Sequence, residues 1–135
     1  MQKKNNNDKI KFEKFMKKIL LVEDDLFLID LYTTKLEQEG FSVEVSNDGE
    51  DCLRRIKENI PDLVLLDIVL PNVDGWEILQ KIRNDEKFKD LKIVILSNLS
   101  QKEEIEKGLK FNVEKYLVKA HYTPTEVVEE VKKII

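Results

Sequence analysis

The sequence predicts an α/β fold, a doubly wound five-stranded parallel sheet with five helices, and three observations lead there. Apolar runs of strand length, such as Ile19–Val22 and Leu63–Leu66, are uninterrupted, as strands covered on both faces require. Between these runs the apolar residues recur at helical spacing, so the hydrophobic period switches repeatedly along the chain. The 135 residues suffice for one core and are too few for two. Right-handed crossovers then leave chiefly an open, doubly wound sheet.

Taken in order, Ile19-Leu20-Leu21-Val22 is the first strand and runs directly into Glu23-Asp24-Asp25. Leu28, Leu31, Tyr32 and Leu36 mark the first helix, with Gly40 as its stop. Phe41, Val43 and Val45 alternate with Ser42 and Glu44, the pattern of a half-buried second strand. A turn at Asn47-Asp48-Gly49 leads into a helix carrying Cys52, Leu53, Ile56 and Ile60, which Pro61 ends. Leu63–Leu66 is the third strand, residues 71–75 form a turn, and Trp76, Leu79 and Ile82 mark the third helix. Ile93–Leu96 is the fourth strand, followed by a weaker helix with Ile105 and Leu109 inward. Tyr116-Leu117-Val118 is the fifth strand. Thr123-Pro124 starts the last helix, striped by Val127, Val128, Val131, Ile134 and Ile135.

Composition narrows the function classes. Charged residues make up 37% of the chain and no apolar run approaches the ~18 residues of a membrane span. The polar start lacks a secretory apolar segment, and the lone Cys52 reads as a core thiol in a reducing compartment. The expected location is therefore the cytoplasm. Residues 1–18 hold seven Lys against Asp8 and Glu13, a net +5, which leaves −9 for the rest of a chain at −4. Residues 1–17 read as a basic, flexible, solvated extension ahead of a single domain over 18–135. The acidic body is expected to make no direct nucleic-acid contact, which needs Lys and Arg against phosphates.

In an open α/β sheet the carboxyl ends of the strands outline the ligand crevice. Strand one ends in Glu23, Asp24 and Asp25, strand three in Asp67, strand four in Ser97 and Asn98, and strand five in Lys119. Any one of these alone reads as a polar turn residue; together they form a rim. Clustered carboxylates repel one another and invite a divalent cation, and oxygen-only ligands favour Mg²⁺ or Mn²⁺. An ammonium beside that cation suits a phosphoryl group. An Asp carboxylate can then serve as nucleophile, giving an aspartyl phosphate, and Ser97 can hydrogen-bond the added group.

Lys18–Asp25 (KILLVEDD), Asp62–Gly75 (DLVLLDIVLPNVDG), Ile93–Ser97 (IVILS) and Tyr116–Lys119 (YLVK) resemble the signature segments of the receiver domains of two-component response regulators. The resemblance covers about residues 18–135 and implies the strand order 2-1-3-4-5. It implies that Asp67 accepts the phosphoryl group and that Asp24 is the direct Mg²⁺ carboxylate. It also implies that Glu23 holds metal-bound water and that the Val69 carbonyl completes the metal ligands. It further implies Ser97 and Tyr116 as the switch pair and Lys119 as the phosphate-binding Lys, with Asp25 an extra, helix-capping acid. The implied partners are a histidine kinase or phosphotransfer protein and a downstream effector bound at the face of the fourth helix, fifth strand and fifth helix. Such a module is not an enzyme beyond its own phosphotransfer and dephosphorylation. A phosphorelay intermediate, or the receiver part of a larger regulator, is the alternative.

Two departures from the family pattern stand at the rim. Ala120 replaces the usual Pro after Lys119, so a trans Lys119–Ala120 bond is expected, and Asn98 replaces a small residue. In receivers the positions two beyond the acceptor and two beyond the switch hydroxyl border the path of hydrolytic water; here they are Val69 and Leu99. Rival readings fit less well. A haloacid-dehalogenase-type phosphatase needs a second Asp where Val69 stands, and a flavodoxin-like cofactor binder needs a Gly-rich phosphate loop, for which four glycines leave little room. The complete acid–Asp–Ser–Lys set speaks against a degenerate scaffold. Trp76 reads as packing and His121 as a surface loop residue.

Overall fold

The computed structural model describes residues 16–135, so most of the basic extension expected over 1–17 lies outside the described residues. Five parallel strands, β1 (Lys18–Val22), β2 (Ser42–Ser46), β3 (Leu63–Leu66), β4 (Ile93–Ser97) and β5 (Lys115–Val118), form one sheet in the order β2-β1-β3-β4-β5. Five helices connect or follow them: α1 (Leu26–Gln38), α2 (Gly49–Glu58), α3 (Gly75–Asn84), α4 (Lys102–Leu109) and α5 (Pro124–Ile134). This is the doubly wound architecture that the apolar runs predict.

Alternate residues of each central strand serve opposite cores. Ile19, Leu21, Leu63, Leu65, Val94 and Leu96 pack with Tyr32 and Leu36 of α1 and with Val127, Val128 and Val131 of α5. Leu20, Val22, Val64, Leu66, Ile93 and Ile95 pack with Cys52 and Ile56 of α2 and with Ile78, Leu79 and Ile82 of α3. Each fully buried aliphatic side chain contributes roughly 1.5–3 kcal/mol. With both faces covered, the strands need apolar residues throughout, which is why no alternation is seen in them.

Short polar residues start the helices. Asp25 accepts from the Phe27 and Leu28 N–H groups, Asp48 from Asp51 and Asp74 from Trp76. Thr123 accepts from Glu126 while Glu126 accepts from the Thr123 N–H, a reciprocal capping box. Between β3 and α3 a small antiparallel ladder, Val69–Leu70 with Val73–Asp74, carries Asn72 at φ 58°. Gly75 lies so close beneath it that a Cβ would collide with the Ile68 backbone.

Three local expectations differ. Gly49 is the first residue of α2, because Asp48 caps the helix one residue earlier than a turn would place it. Ile60 falls beyond the end of α2 and is exposed. Leu109, expected inward on α4, is 51% exposed, because this short helix lies over the sheet edge and buries Gly108 instead. No helix among the described residues is long and apolar enough to cross a membrane.

Candidate functional site

At the carboxyl edge of the sheet the backbone keeps strand pairing one residue past β1 and β3. The Glu23 N–H donates to the Ser46 carbonyl and the Asp67 N–H to the Val22 carbonyl, each at 3.0 Å. Glu23 and Asp67 are thereby fixed on neighbouring strands, and both are buried. Lys119 follows β5 in a 3₁₀ turn, Lys119–His121, and its side chain reaches across the edge. Its Nζ donates to Glu23 Oε2 and to Asp67 Oδ2, both at 2.7 Å. The other Asp67 oxygen accepts from the Val69 N–H at 3.0 Å, and Glu23 Oε1 accepts from the Asp25 N–H at 3.3 Å.

One ammonium thus serves two buried carboxylates, and Asp24 adds a third at the exposed rim. Single carboxylate oxygens of Glu23, Asp24 and Asp67 all lie within 4.8 Å of one another. Burial raises the Glu23 carboxyl above its ordinary range, against the pull of Lys119. Burial alone would lower the Lys119 ammonium, but hydrogen bonds to Asp67 and Glu23 outweigh it and hold its pKa above normal. The excess negative charge and the all-oxygen donor set fit a hard divalent cation.

Ser97 ends β4 fully buried, and its Oγ accepts from the Leu99 N–H at 3.3 Å. Tyr116, the second residue of β5, donates its hydroxyl to the Leu99 carbonyl at 2.7 Å. The backbone of Leu99 therefore joins the two expected switch residues, a link the sequence does not announce. Val69 enters the site through its N–H while its side chain is 56% exposed. Asp25 caps α1, as expected of the extra acid. No cis peptide bond occurs among the described residues, Lys119–Ala120 included, and His121 is exposed.

Sequence reasoning passed over Arg83, which is half-buried at the end of α3. It donates to the carbonyls of Phe111 (2.7 Å), Phe88 (2.8 Å) and Asn112 (3.0 Å), tying the chain after α4 to α3. Trp76, expected as packing, stacks on Phe111, and Lys107 of α4 lies 4.5 Å over its ring. Nothing in local spacing signals these contacts, since the partners lie on separate elements.

Such a fold, with acids, a hydroxyl and a lysine gathered at the strand ends, defines a class of signalling domain. The family model "Response regulator receiver domain" matches residues 19–132. The regulatory protein VanRc of Enterococcus gallinarum is 37% identical over 117 residues, 85% of this chain and 48% of that protein. The alkaline phosphatase synthesis transcriptional regulatory protein PhoP of Bacillus subtilis is 35% identical over 121 residues, 88% of this chain and 48% of its own length. Among solved structures, the BeF3-activated DrrB receiver domain is similar at a TM-score of 0.77 and 30% identity, covering 89% of this chain and 97% of that one. The chain belongs to the response regulator receiver domain family. It spans about half the length of the curated relatives it matches. PhoP is by name a transcriptional regulator, so the similarity lends nothing to the expectation of no nucleic-acid contact.

Proposed function

We propose that this domain is a phosphorylation switch in which Asp67 accepts a phosphoryl group from a histidine kinase or phosphotransfer protein. The observation that carries this reading is the double contact of Lys119 with Asp67 and Glu23, which gathers an acceptor carboxylate, a phosphate-binding cation and a metal-binding acid at one edge. A carboxylate oxygen of Asp67 attacks phosphorus, the bond from phosphorus to the donor's imidazole nitrogen breaks, and its electron pair returns to the ring. Lys119 leaves Asp67 to pair with the oxygens of the transferred group. Asp24 and Asp67 with the Val69 carbonyl would hold Mg²⁺ directly, and Glu23 would hold its water. When bound, Mg²⁺ neutralises charge on the phosphoryl oxygens.

Ser97 then turns its hydroxyl to the new phosphoryl oxygens. The Leu99 N–H loses its partner, and Leu99 passes the displacement to Tyr116 and the face formed by α4, β5 and α5 (α4-β5-α5). A downstream effector reads that face. The domain runs from residue 18 to 135 after a basic extension, works in the cytoplasm, and performs no chemistry beyond its own phosphotransfer and dephosphorylation. Because its relatives are about twice as long, the alternative is that it serves as the receiver part of a larger regulator. A phosphotransfer profile against the source organism's histidine kinases tests the proposal. Rapid transfer from at least one kinase to the wild-type domain is expected. No transfer from any of them, with Mg²⁺ present, would contradict it.

A further inference from the structure

We propose that Gly108 is a positioning residue for Tyr116: the bare helix surface at this position lets the tyrosine ring lie flush on α4 with its hydroxyl on Leu99. The inference rests on Tyr116 being the output side of the switch. Of the eight residues of α4, Gly108 is the buried one. A Cβ built there would stand 2.7 Å from Tyr116 Cδ2, 3.0 Å from Tyr116 Cε2 and 2.9 Å from Ile95 Cδ1. Its φ is not left-handed, so the backbone does not ask for glycine. Glycine is also the poorest helix former after proline. The close approach of the ring is the remaining reason for it.

What would yield to a side chain here follows from how each neighbour is held. Ile95 Cδ1 is the end of a rotatable chain and can turn. Helix α4 resists moving outward, because Arg83 holds the carbonyls of Phe111 and Asn112 just beyond its end and Lys107 sits over Trp76. The Tyr116 ring is rigid, and its backbone is locked by pairing with Ile95 in the sheet. It can escape only by rotating about its own Cα–Cβ bond, which carries the hydroxyl away from Leu99. A methyl at 108 therefore cuts the link from Ser97 to the output face and leaves the acids and Lys119 in place.

The test uses fluorine NMR of the full chain labelled with fluorotyrosine, the Tyr116 signal being assigned by its loss in Tyr116→Phe. In Gly108→Ala the Tyr116 resonance should leave its wild-type position, while Mg²⁺-dependent labelling by acetyl phosphate stays at the wild-type level. A Tyr116 resonance at the wild-type position in Gly108→Ala would overturn the proposal. Thermal midpoints give a second reading. Gly108→Ala should lower the midpoint in the wild-type background and raise it in Tyr116→Ala, where the ring is gone and alanine's helix preference acts alone. The same sign in both backgrounds would also overturn it, and this arm decides if Gly108→Ala alone fails to fold. Loss of labelling in the wild-type protein would count against the phosphoacceptor reading and not against the ring's position.

Discussion

The Tyr116 hydroxyl donates to the Leu99 carbonyl at 2.7 Å, and the N–H of the same Leu99 donates to Ser97 Oγ. One residue's backbone is thus held from both sides by the two side chains that a phosphoryl group would move. Ser97→Ala should accept phosphate at Asp67, since Ser97 reads the group and does not attack it. The Tyr116 signal in that variant should no longer shift when beryllofluoride is added. Tyr116→Phe should lose about 1 kcal/mol of stability, the net worth of one hydrogen bond. A wild-type Tyr116 response in Ser97→Ala would break the proposed link.

Asp24 and Asp25 are adjacent acids with separate tasks. Asp24 offers an oxygen to the carboxylate cluster, whereas Asp25 is spent on the N–H groups of Phe27 and Leu28. Asp24→Ala should weaken Mg²⁺ binding severely and change stability little. Asp25→Ala should cost about 1 kcal/mol of stability, the usual loss of an N-cap, with nearly unchanged Mg²⁺ affinity. Metal titration and thermal melts of the two variants check both halves, and reversed effects would mean the acidic register is off by one.

The phosphorylated form should be long-lived for its family. Val69 and Leu99 are aliphatic, and neither can hydrogen-bond an attacking water into line with the Asp67–phosphorus bond. A tenfold rate difference corresponds to about 1.4 kcal/mol of barrier, so a modest gain in water positioning is measurable. Val69→Asn/Leu99→Glu should lose its phosphoryl group several-fold faster after the donor is removed. Equal decay in the two proteins would end this explanation.

Asp51 supplies a pH-dependent element away from the site. Hydrogen bonds from Arg55, and then from Arg54, hold its carboxyl down to about 2. A folded pKa below the ordinary value near 4 contributes stability fully present above that value and lost as pH falls through about 2. Arg54 is more than half exposed, so solvent screening reduces the contribution to about 1 kcal/mol. Asp51→Asn should therefore destabilise the domain at neutral pH, and the difference in denaturation midpoint should vanish near pH 2. A difference that persists there would show that the ion pairs are not its source.

The sheet was legible because a strand buried on both faces leaves a continuous apolar run, and the polar residue ending each run marks the crevice. Glu23, Asp67 and Lys119 could be found this way, since each directly follows its strand. Their pairing was not legible: Lys119 and Asp67 are 52 positions apart, and only the parallel register brings them to 2.7 Å. Leu109 misled because α4 buries so little that helical spacing alone could not choose its inner face. The Leu99 link runs through backbone atoms, which every residue carries, so no side-chain pattern marks it. Arg83 grips carbonyls up to 29 positions away and Gly108 acts through an absent side chain. Neither leaves a spacing to read.

The most direct measurement is Mg²⁺-dependent labelling by acetyl phosphate of the wild type beside Asp67→Ala. Asp67 is buried at the end of β3, and it shares the Lys119 ammonium with Glu23, each carboxylate at 2.7 Å. The wild type should take up label only when Mg²⁺ is present, and Asp67→Ala should take up none. Full labelling of Asp67→Ala would contradict Asp67 as the acceptor.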